Sequence, residues 1–205
     1  MEKELLNLNP FRLFLTTLLE PAFRIGGFFA KILGWDQEGI EMNFRGRVLG
    51  GPAGWKVGRN VRFVGPCHRF RFGKKVCLFG NAYLNANGPE GFIEVGEQTH
   101  LDQYCVLYGQ GGLTIGKYCA IASGVIIYTQ TNEDSMKNGT PLVLQPTRYS
   151  PVFIRDGCWL GAGVKIIPGV ILGEGAFIGA GAVVISNIPP KVIAVGIPAK
   201  ILKER

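Results

Sequence analysis

Histidine is the side chain best suited to move protons near neutral pH, and this chain has two, His68 and His100. Zinc held by imidazole or thiolate needs three or four ligands at characteristic spacings. Two histidines and five cysteines without a CxxC pair do not supply them, so no metal is expected. The odd cysteine count fits no secreted disulfide framework and points to a reducing compartment. The N-terminus MEKELLNLNP lacks the basic start and cleavage site of a signal peptide, and no run of 18 uncharged apolar residues occurs. A cytoplasmic setting is expected. Formal charge is +7, and the tail carries Lys200, Lys203 and Arg205, which suit phosphate groups on charge grounds.

A repeat must position these groups. Aliphatic residues recur every six positions: Val95, Leu101, Leu107; Ile115, Ile121, Ile127; Ile154, Leu160, Ile166; Leu172, Ile178, Val184. Extra residues enter only after a third hexad, two near Gly111-Gly112 and 21 from Glu133 to Phe153. The second hexad position is small in Gly96, Gly116, Ala122, Gly161, Gly173 and Gly179. The fifth is small or β-branched, as in Thr99, Cys105, Cys119, Val125, Thr131, Cys158, Val164, Val170, Ala176 and Ala182. In a strand, positions one and five share a parity and point into one core. Short strands with a corner every six residues make a triangular coil, and glycine tolerates the corner angles. The pattern persists more weakly at Val57, Phe63, Phe72, Leu78 and Leu84. An all-β, three-sided parallel β-helix of about six coils is predicted over residues 57–188, with a corner loop at 133–153. Residues 1–56 precede it and a tail at 189–205 follows. Cys105, Cys119 and Cys158 serve there as small inward groups, with Cys119 and Cys158 on adjacent coils.

Two stretches sharpen this. SPVFIRDGCWLGAGVKIIPGVILGEGAFIGAGAVV, residues 150–184, matches P-V-x-I-G-D-x-V-W-I-G-x-x-x-x-I-x-P-G-V-x-I-G. NIPPKVIAVGIPAKIL, residues 187–202, matches I-P-P-x-x-V-x-x-G-N-P-A-K-x-I, with Ile197 in place of the asparagine. Together with IEVGEQTHLDQYCVLYGQGGLTIGKYCAIASGVIIYT they give a resemblance over residues 57–205 to the hexapeptide acetyltransferases, particularly the maltose, galactoside and nodulation branch and its polysaccharide-modifying relatives. The resemblance implies a left-handed helix and a homotrimer. It implies acetyl-CoA or another acyl-CoA as co-substrate, lying along the coils between subunits, and a corner insertion that reaches a neighbour. By match to that family, Trp159, Gly161 and Ala162 line the acyl end, while Gly179, Ala180, Pro198 and Lys200 flank the pantetheine and nucleotide.

The catalytic position departs from the family. Its base is a histidine in I-Y-T-x-T-H-P, and the corresponding run here is Ile127-Tyr128-Thr129-Gln130-Thr131-Asn132-Glu133. Asn132 stands where the histidine is expected. Gln130 stands where relatives with His-x-His place the first. Amides exchange hydrogen bonds but take up no proton at neutral pH. Another group then serves (Glu133, Asp134, or His100 from an outward sixth position), or the acceptor is an amine that needs little base, or the chain binds without turnover. The γ-type carbonic anhydrases share the fold but need three histidines around zinc, which His68 and His100 cannot supply.

Ahead of the repeat, Asn9-Pro10 is a helix start. Phe11, Phe14, Leu15, Leu18 and Leu19 share a face, Pro21 ends that helix, and a second carries Phe23, Phe28, Phe29, Ile32 and Leu33. Residues 42–89 contain no Asp or Glu but do contain Arg45, Arg47, Lys56, Arg59, Arg62, Arg69, Arg71, Lys74 and Lys75. This suits peripheral contact with an anionic membrane; equally, the helices cap the first coil or pack in the trimer. No nucleic-acid recognition module accompanies the charge. The expected activity is transfer of an acyl group from CoA to a hydroxyl, or an amine, of a sugar or glycan precursor. The alternative is a binding or scaffold trimer on the same fold.

Overall fold

The computed structural model describes residues 56–133, 139 and 141–205, together with the backbone of Met42–Phe44. The two predicted N-terminal helices, Arg45, Arg47 and Asp134 lie outside the described residues. From Lys56 onward the chain winds through three parallel sheets, visited in strict rotation. Face one stacks Val61–Val64, Tyr83–Asn85, Val106–Tyr108, Ile126–Tyr128, Lys165–Ile166 and Val183–Val184. Face two stacks Phe70–Phe72, Ile93–Val95, Leu113–Ile115, Val152–Ile154 and Ile171–Leu172. Face three stacks Lys56–Val57, Cys77–Leu78, His100–Leu101, Ala120–Ile121, Trp159–Leu160, Phe177–Ile178 and Val192–Val195. The result is the three-sided parallel β-helix, with about six coils. Lys200–Glu204 then folds back antiparallel on Val192–Val195 and closes that end. Among the described residues, no helix is long and apolar enough to cross a membrane.

Strands this short cannot bury a core singly; register makes them do so together. Leu101, Ile121, Leu160 and Ile178 sit in line on face three, Leu107, Ile127, Ile166 and Val184 on face one, Val95, Ile115, Ile154 and Leu172 on face two. All twelve are buried. Burying such a side chain fully is worth about 1.5–3 kcal/mol. The weaker upstream hexads pack more loosely, with Val57 and Phe72 only partly buried against the core.

The fifth position behaves as expected except once. Thr99, Cys105, Cys119, Val125, Cys158, Val164, Val170, Ala176 and Ala182 are buried, but Thr131 is exposed. The inward threonine at that corner is Thr129. Its Oγ1 donates to Tyr108 O (2.7 Å) and accepts from Gly111 N (2.8 Å), stapling two coils. Beyond it the chain leaves the helix. Gln130–Asn132 pairs antiparallel with Thr147–Tyr149 to form an arm at the corner between faces one and two, so the hexad parity stops applying at Thr131.

The inward cysteines donate into the next coil, Cys105 Sγ to Ala122 O (3.3 Å), Cys119 Sγ to Arg155 O and Cys158 Sγ to Gly173 O (both 3.2 Å). Burial pushes the Cys105 thiol from 9.0 up to about 11. Among the four cysteines with described side chains, only Cys77 is expected to react with a thiol reagent in the native protein at pH 8, read by mass spectrometry. The Cys105 shift also has a sign. Because its folded pKa exceeds the unfolded one, its contribution is complete below pH 9.0 and declines as pH climbs from there towards about 11, which denaturant midpoints across that interval should register.

Candidate active-site edge

The edge where face three turns into face one is built from small residues over three successive coils. Ala122-Ser123-Gly124, Gly161-Ala162-Gly163 and Gly179-Ala180-Gly181 stack on one another. Gly124, Gly163 and Gly181 have φ of +71°, +70° and +69°, a left-handed conformation that strains any side chain. A Cβ on Gly163 or Gly181 would meet nothing within 4 Å, so the edge is open to the outside at both. Gly161 differs, since a Cβ there would lie 2.5 Å from Ala180 N. It is glycine because the coils touch.

The hydrogen-bond ladder leaves donors on this edge. Gly124, Gly163 and Gly181 donate to Gln103 O, Ser123 O and Ala162 O of the coil before. The amides of Ser123, Ala162 and Ala180 donate to no acceptor among the described residues. Three unpaired N–H groups therefore run up the edge, covered only by small side chains. Such donors can hold carbonyl oxygens, or an oxygen gaining negative charge during acyl transfer.

The walls of the edge are specific. On the face-three side Trp159 is 37% exposed and lies flat against Phe177, ring centroids 4.1 Å apart and planes 13° apart. Sequence reasoning did not single out Phe177, although it repeats the Trp159 position one coil later. Lys165 stands exposed on the face-one side. At the top the tail runs back across the coil, Val183 N donating to Gly196 O (3.1 Å) and Ala199 N to Val183 O (2.8 Å). This sets Pro198 over the end of the edge and Lys200 opposite Val195. A Cβ on Gly179 would meet Val195 Cγ1 at 2.7 Å. Trp159, Gly161, Ala162, Gly179, Ala180, Pro198 and Lys200, scattered over 42 positions, are thus neighbours along one edge and its cap.

The proton-handling candidates divide. His100 shares an outward column with Ala120, Trp159 and Phe177, two coils below the tryptophan, which at 4.7–4.9 Å per coil is about 9.5 Å. It is half-buried, and Ala120 leaves a notch between the two. Gln130, Asn132 and Glu133 sit on the arm at the other end of face one, away from His100 within this chain. Asn132 Nδ2 donates to Leu142 O (3.1 Å), which ties its amide to the arm itself. Among the described residues no group of three His, Cys, Asp or Glu is placed to hold a metal ion. An open groove outside face two, lined by Arg71, Lys74, Glu94, Glu97, Lys117 and Asp156, alternates charge and contains none of these candidates.

Comparison with known proteins follows the same lines. The sequence model of the bacterial transferase hexapeptide family (six repeats) matches residues 151–186. A dTDP-4-amino-4,6-dideoxy-D-glucose acyltransferase of Escherichia coli is 34% identical over 160 residues, 73% of this chain and 81% of that protein. The solved maltose O-acetyltransferase of Clostridium difficile 630 is 32% identical with a TM-score of 0.59, covering 67% of this chain and 71% of the other. A hexapeptide-repeat acetyltransferase of Vibrio cholerae, solved with acetyl coenzyme A, is 26% identical with a TM-score of 0.55, covering 67% and 72%.

The glycines of the edge make a direct test of packing against openness. Gly161→Ala should cost about 1–3 kcal/mol, because its methyl meets backbone in the next coil. Gly179→Ala should cost less than about 1 kcal/mol, because the half-exposed Val195 side chain can turn aside. Urea denaturation of the two variants measures the difference.

Proposed function

This chain belongs to the hexapeptide-repeat acyltransferases, and from that membership we propose that it transfers an acetyl or similar acyl group from CoA to a sugar. The observation that carries the proposal is the open edge of Ala122–Gly181, with its column of unpaired amides and a stacked Trp159–Phe177 wall. A long thioester suits that edge. Amides of the pantetheine chain can pair with the Ser123, Ala162 and Ala180 N–H groups, the acyl end lies towards Trp159, Gly161 and Ala162, and the phosphates lie towards Pro198 and Lys200. The thioester carbonyl gains charge as the acceptor oxygen attacks, and a fixed amide beside it lowers that barrier. Acetyl coenzyme A bound to the Vibrio cholerae neighbour supports the choice of donor. The nucleotide sugar named in the Escherichia coli relative and the maltose named in the Clostridium difficile structure support a sugar acceptor.

In this reading the chain acts as a homotrimer, whose subunits bring the arm of one copy to the edge of the next. Gln130 and Asn132 orient the acceptor, since amides can hold hydroxyls but not remove their protons. His100 takes the proton, because it is the imidazole in the Trp159 column and a neutral imidazole matches the task at pH 7. Among the described residues Glu133 is the remaining carboxylate of the arm. Replacement of the family histidine by Asn132 favours a second reading, a trimer that binds acyl-CoA and sugar without turnover.

Acetyl-CoA at millimolar concentration should raise the melting temperature, and an acceptor sugar should accelerate release of the CoA thiol in a coupled assay. Thermal protection without thiol release selects the binding reading; no protection removes both. His100→Ala should lower kcat/KM by about 10²- to 10⁴-fold. An unchanged rate takes the role from His100 and leaves Glu133, Asp134 or an amine acceptor that needs little base.

A further inference from the structure

We infer that the first coil of the helix is a docking surface for an anionic lipid bilayer, which the protein meets end-on. From Lys56 to Lys75 the chain makes one coil that carries seven cations and no carboxylate. The next coil, residues 76–99, carries Glu90, Glu94 and Glu97 and no Lys or Arg. Because a coil rises about 4.8 Å, the charge is sorted into layers along the axis. The basic layer is the terminal one. Lys56–Val57 and Phe70–Phe72 are the end strands of their sheets, and among the described residues only Met42–Phe44 lies beyond Val61–Val64 on face one.

The cations surround that end. Lys56 lies on face three, Arg59 at its corner with face one, Arg62 on face one, Arg71 on face two, and Lys74 and Lys75 at the corner between faces two and three, all exposed. Two of the seven are committed within the protein, Arg69 donating to Ala86 O and Gly88 O and Arg71 pairing with Glu94. Lys56, Arg59, Lys74 and Lys75 form no ion pair among the described residues. Glu94 and Glu97 stand one coil further from the end, above Arg71 and Lys74. At that same corner the later coils carry Glu97, Lys117, Asp156 and Glu174 in turn, mixed in sign. Only the terminal coil gathers one sign on every side.

A nucleic-acid strand and a bilayer both match the charge, and the surroundings favour the bilayer. Binding of a strand without sequence preference uses a groove that tracks its backbone and aromatic faces on which bases stack. Here the cations lie around a perimeter. The described aromatic side chains of the coil turn inward, Phe63 buried and Phe70 and Phe72 packed on the core with their rings edge-on to it. The chain also enters the helix at this end, through Met42–Phe44 beside Val61–Val64. Ahead of that point, between Leu5 and Trp35, the sequence is rich in Phe, Leu and Ile, and its charges are Arg12, Glu20, Arg24 and Lys31 alone. An apolar stretch joined to a basic layer supplies the two signals that together hold a protein on anionic lipid, where one alone is marginal. End-on contact leaves the small-residue edge clear, since Ser123 stands three coils, about 14 Å, above Arg59.

The test is cosedimentation of the full chain with vesicles of phosphatidylcholine alone, or with about a quarter phosphatidylglycerol, at about 0.1 M salt. The protein should bind the anionic vesicles and not the neutral ones, and about 0.5 M salt should weaken binding by about tenfold or more. Arg59→Gln combined with Lys74→Gln should weaken it by about 25-fold, at about fivefold per cation. Arg155→Gln combined with Lys191→Gln removes the same charge from coils about 14 and 24 Å further along the axis, beyond the screening length. That pair should change binding by less than about twofold. Unchanged melting curves report that both double variants are folded. No binding to the anionic vesicles, equal binding to the neutral ones, or equal loss in the two double variants would overturn the proposal. So would tighter binding, per phosphate, to a single-stranded RNA oligonucleotide in the same buffer, which would give the surface to nucleic acid.

Discussion

Backbone N–H groups of each coil donate to carbonyls of the next, as in the run from Cys77 N to Thr99 O, His100 N to Cys119 O, Ala120 N to Cys158 O and Trp159 N to Ala176 O. That ladder fixes the coils about 4.8 Å apart, and most other features follow from the spacing. Inward columns must be aliphatic or small, because each residue sits directly on its equivalent. Outward columns stack like on like, which is why Tyr108 meets Tyr128 and Trp159 meets Phe177. At a corner the ladder leaves a turn amide without a carbonyl to bind. Between faces two and three one such amide is answered within the protein, Lys117 N donating to Asp156 Oδ1 at 2.9 Å. Between faces three and one, Ser123, Ala162 and Ala180 have no such answer. The amides of Glu97, Asp156 and Glu174 between faces two and three likewise find no acceptor among the described residues, but they belong to charged residues, whereas at the proposed site the unpaired amides belong to small ones.

Corner strain explains where that edge begins. In the lower coils the left-handed corner position is held by Asn60, Lys75, Asn81, Gln98, Tyr104 and Tyr118, and from Gly124 to Gly181 it is held by glycine at each regular corner. A side chain in this conformation costs roughly 1–2 kcal/mol. The lower coils accept the strain and carry side chains there, Tyr104 among them, 60% exposed immediately below Gly124. The corners from Gly124 to Gly181 avoid it and leave bare backbone, and Lys191 in the last coil takes it up again. Relief of strain and exposure of the amides are the same event, so the open edge coincides with the glycine-rich half of the helix.

Much of this could be read from residue spacing. The twelve aliphatic positions at intervals of six are all buried, and the three inward cysteines are buried as well. The residues matched to the acyl-CoA side do gather along one edge and its cap, because motifs one hexad apart become neighbours once coils stack. Thr131 was legible only as another fifth position. Nothing in its neighbours says that the chain leaves the helix at Thr129 and starts an antiparallel arm, a change decided by pairing with Thr147–Tyr149 well downstream. The stacking of Tyr108 on Tyr128 was hidden for a related reason. The two are 20 residues apart because of the insertion near Gly111-Gly112, and Tyr83 lies two residues off their column, in register with Val106, so no period of six joins the three. His100 was legible as outward, but its place in the Trp159 column needed the observed register.

The central claim is that the unpaired amides along the edge between faces three and one are where the acyl donor binds. Amide-resolved NMR on the protein with and without saturating acetyl-CoA tests it directly. The Ser123, Ala162 and Ala180 N–H groups should exchange rapidly with solvent in the free protein, having no acceptor, and should shift and become protected when acetyl-CoA is bound. Protection that instead falls on the corner amides between faces two and three, leaving Ala162 and Ala180 unchanged, would contradict the account.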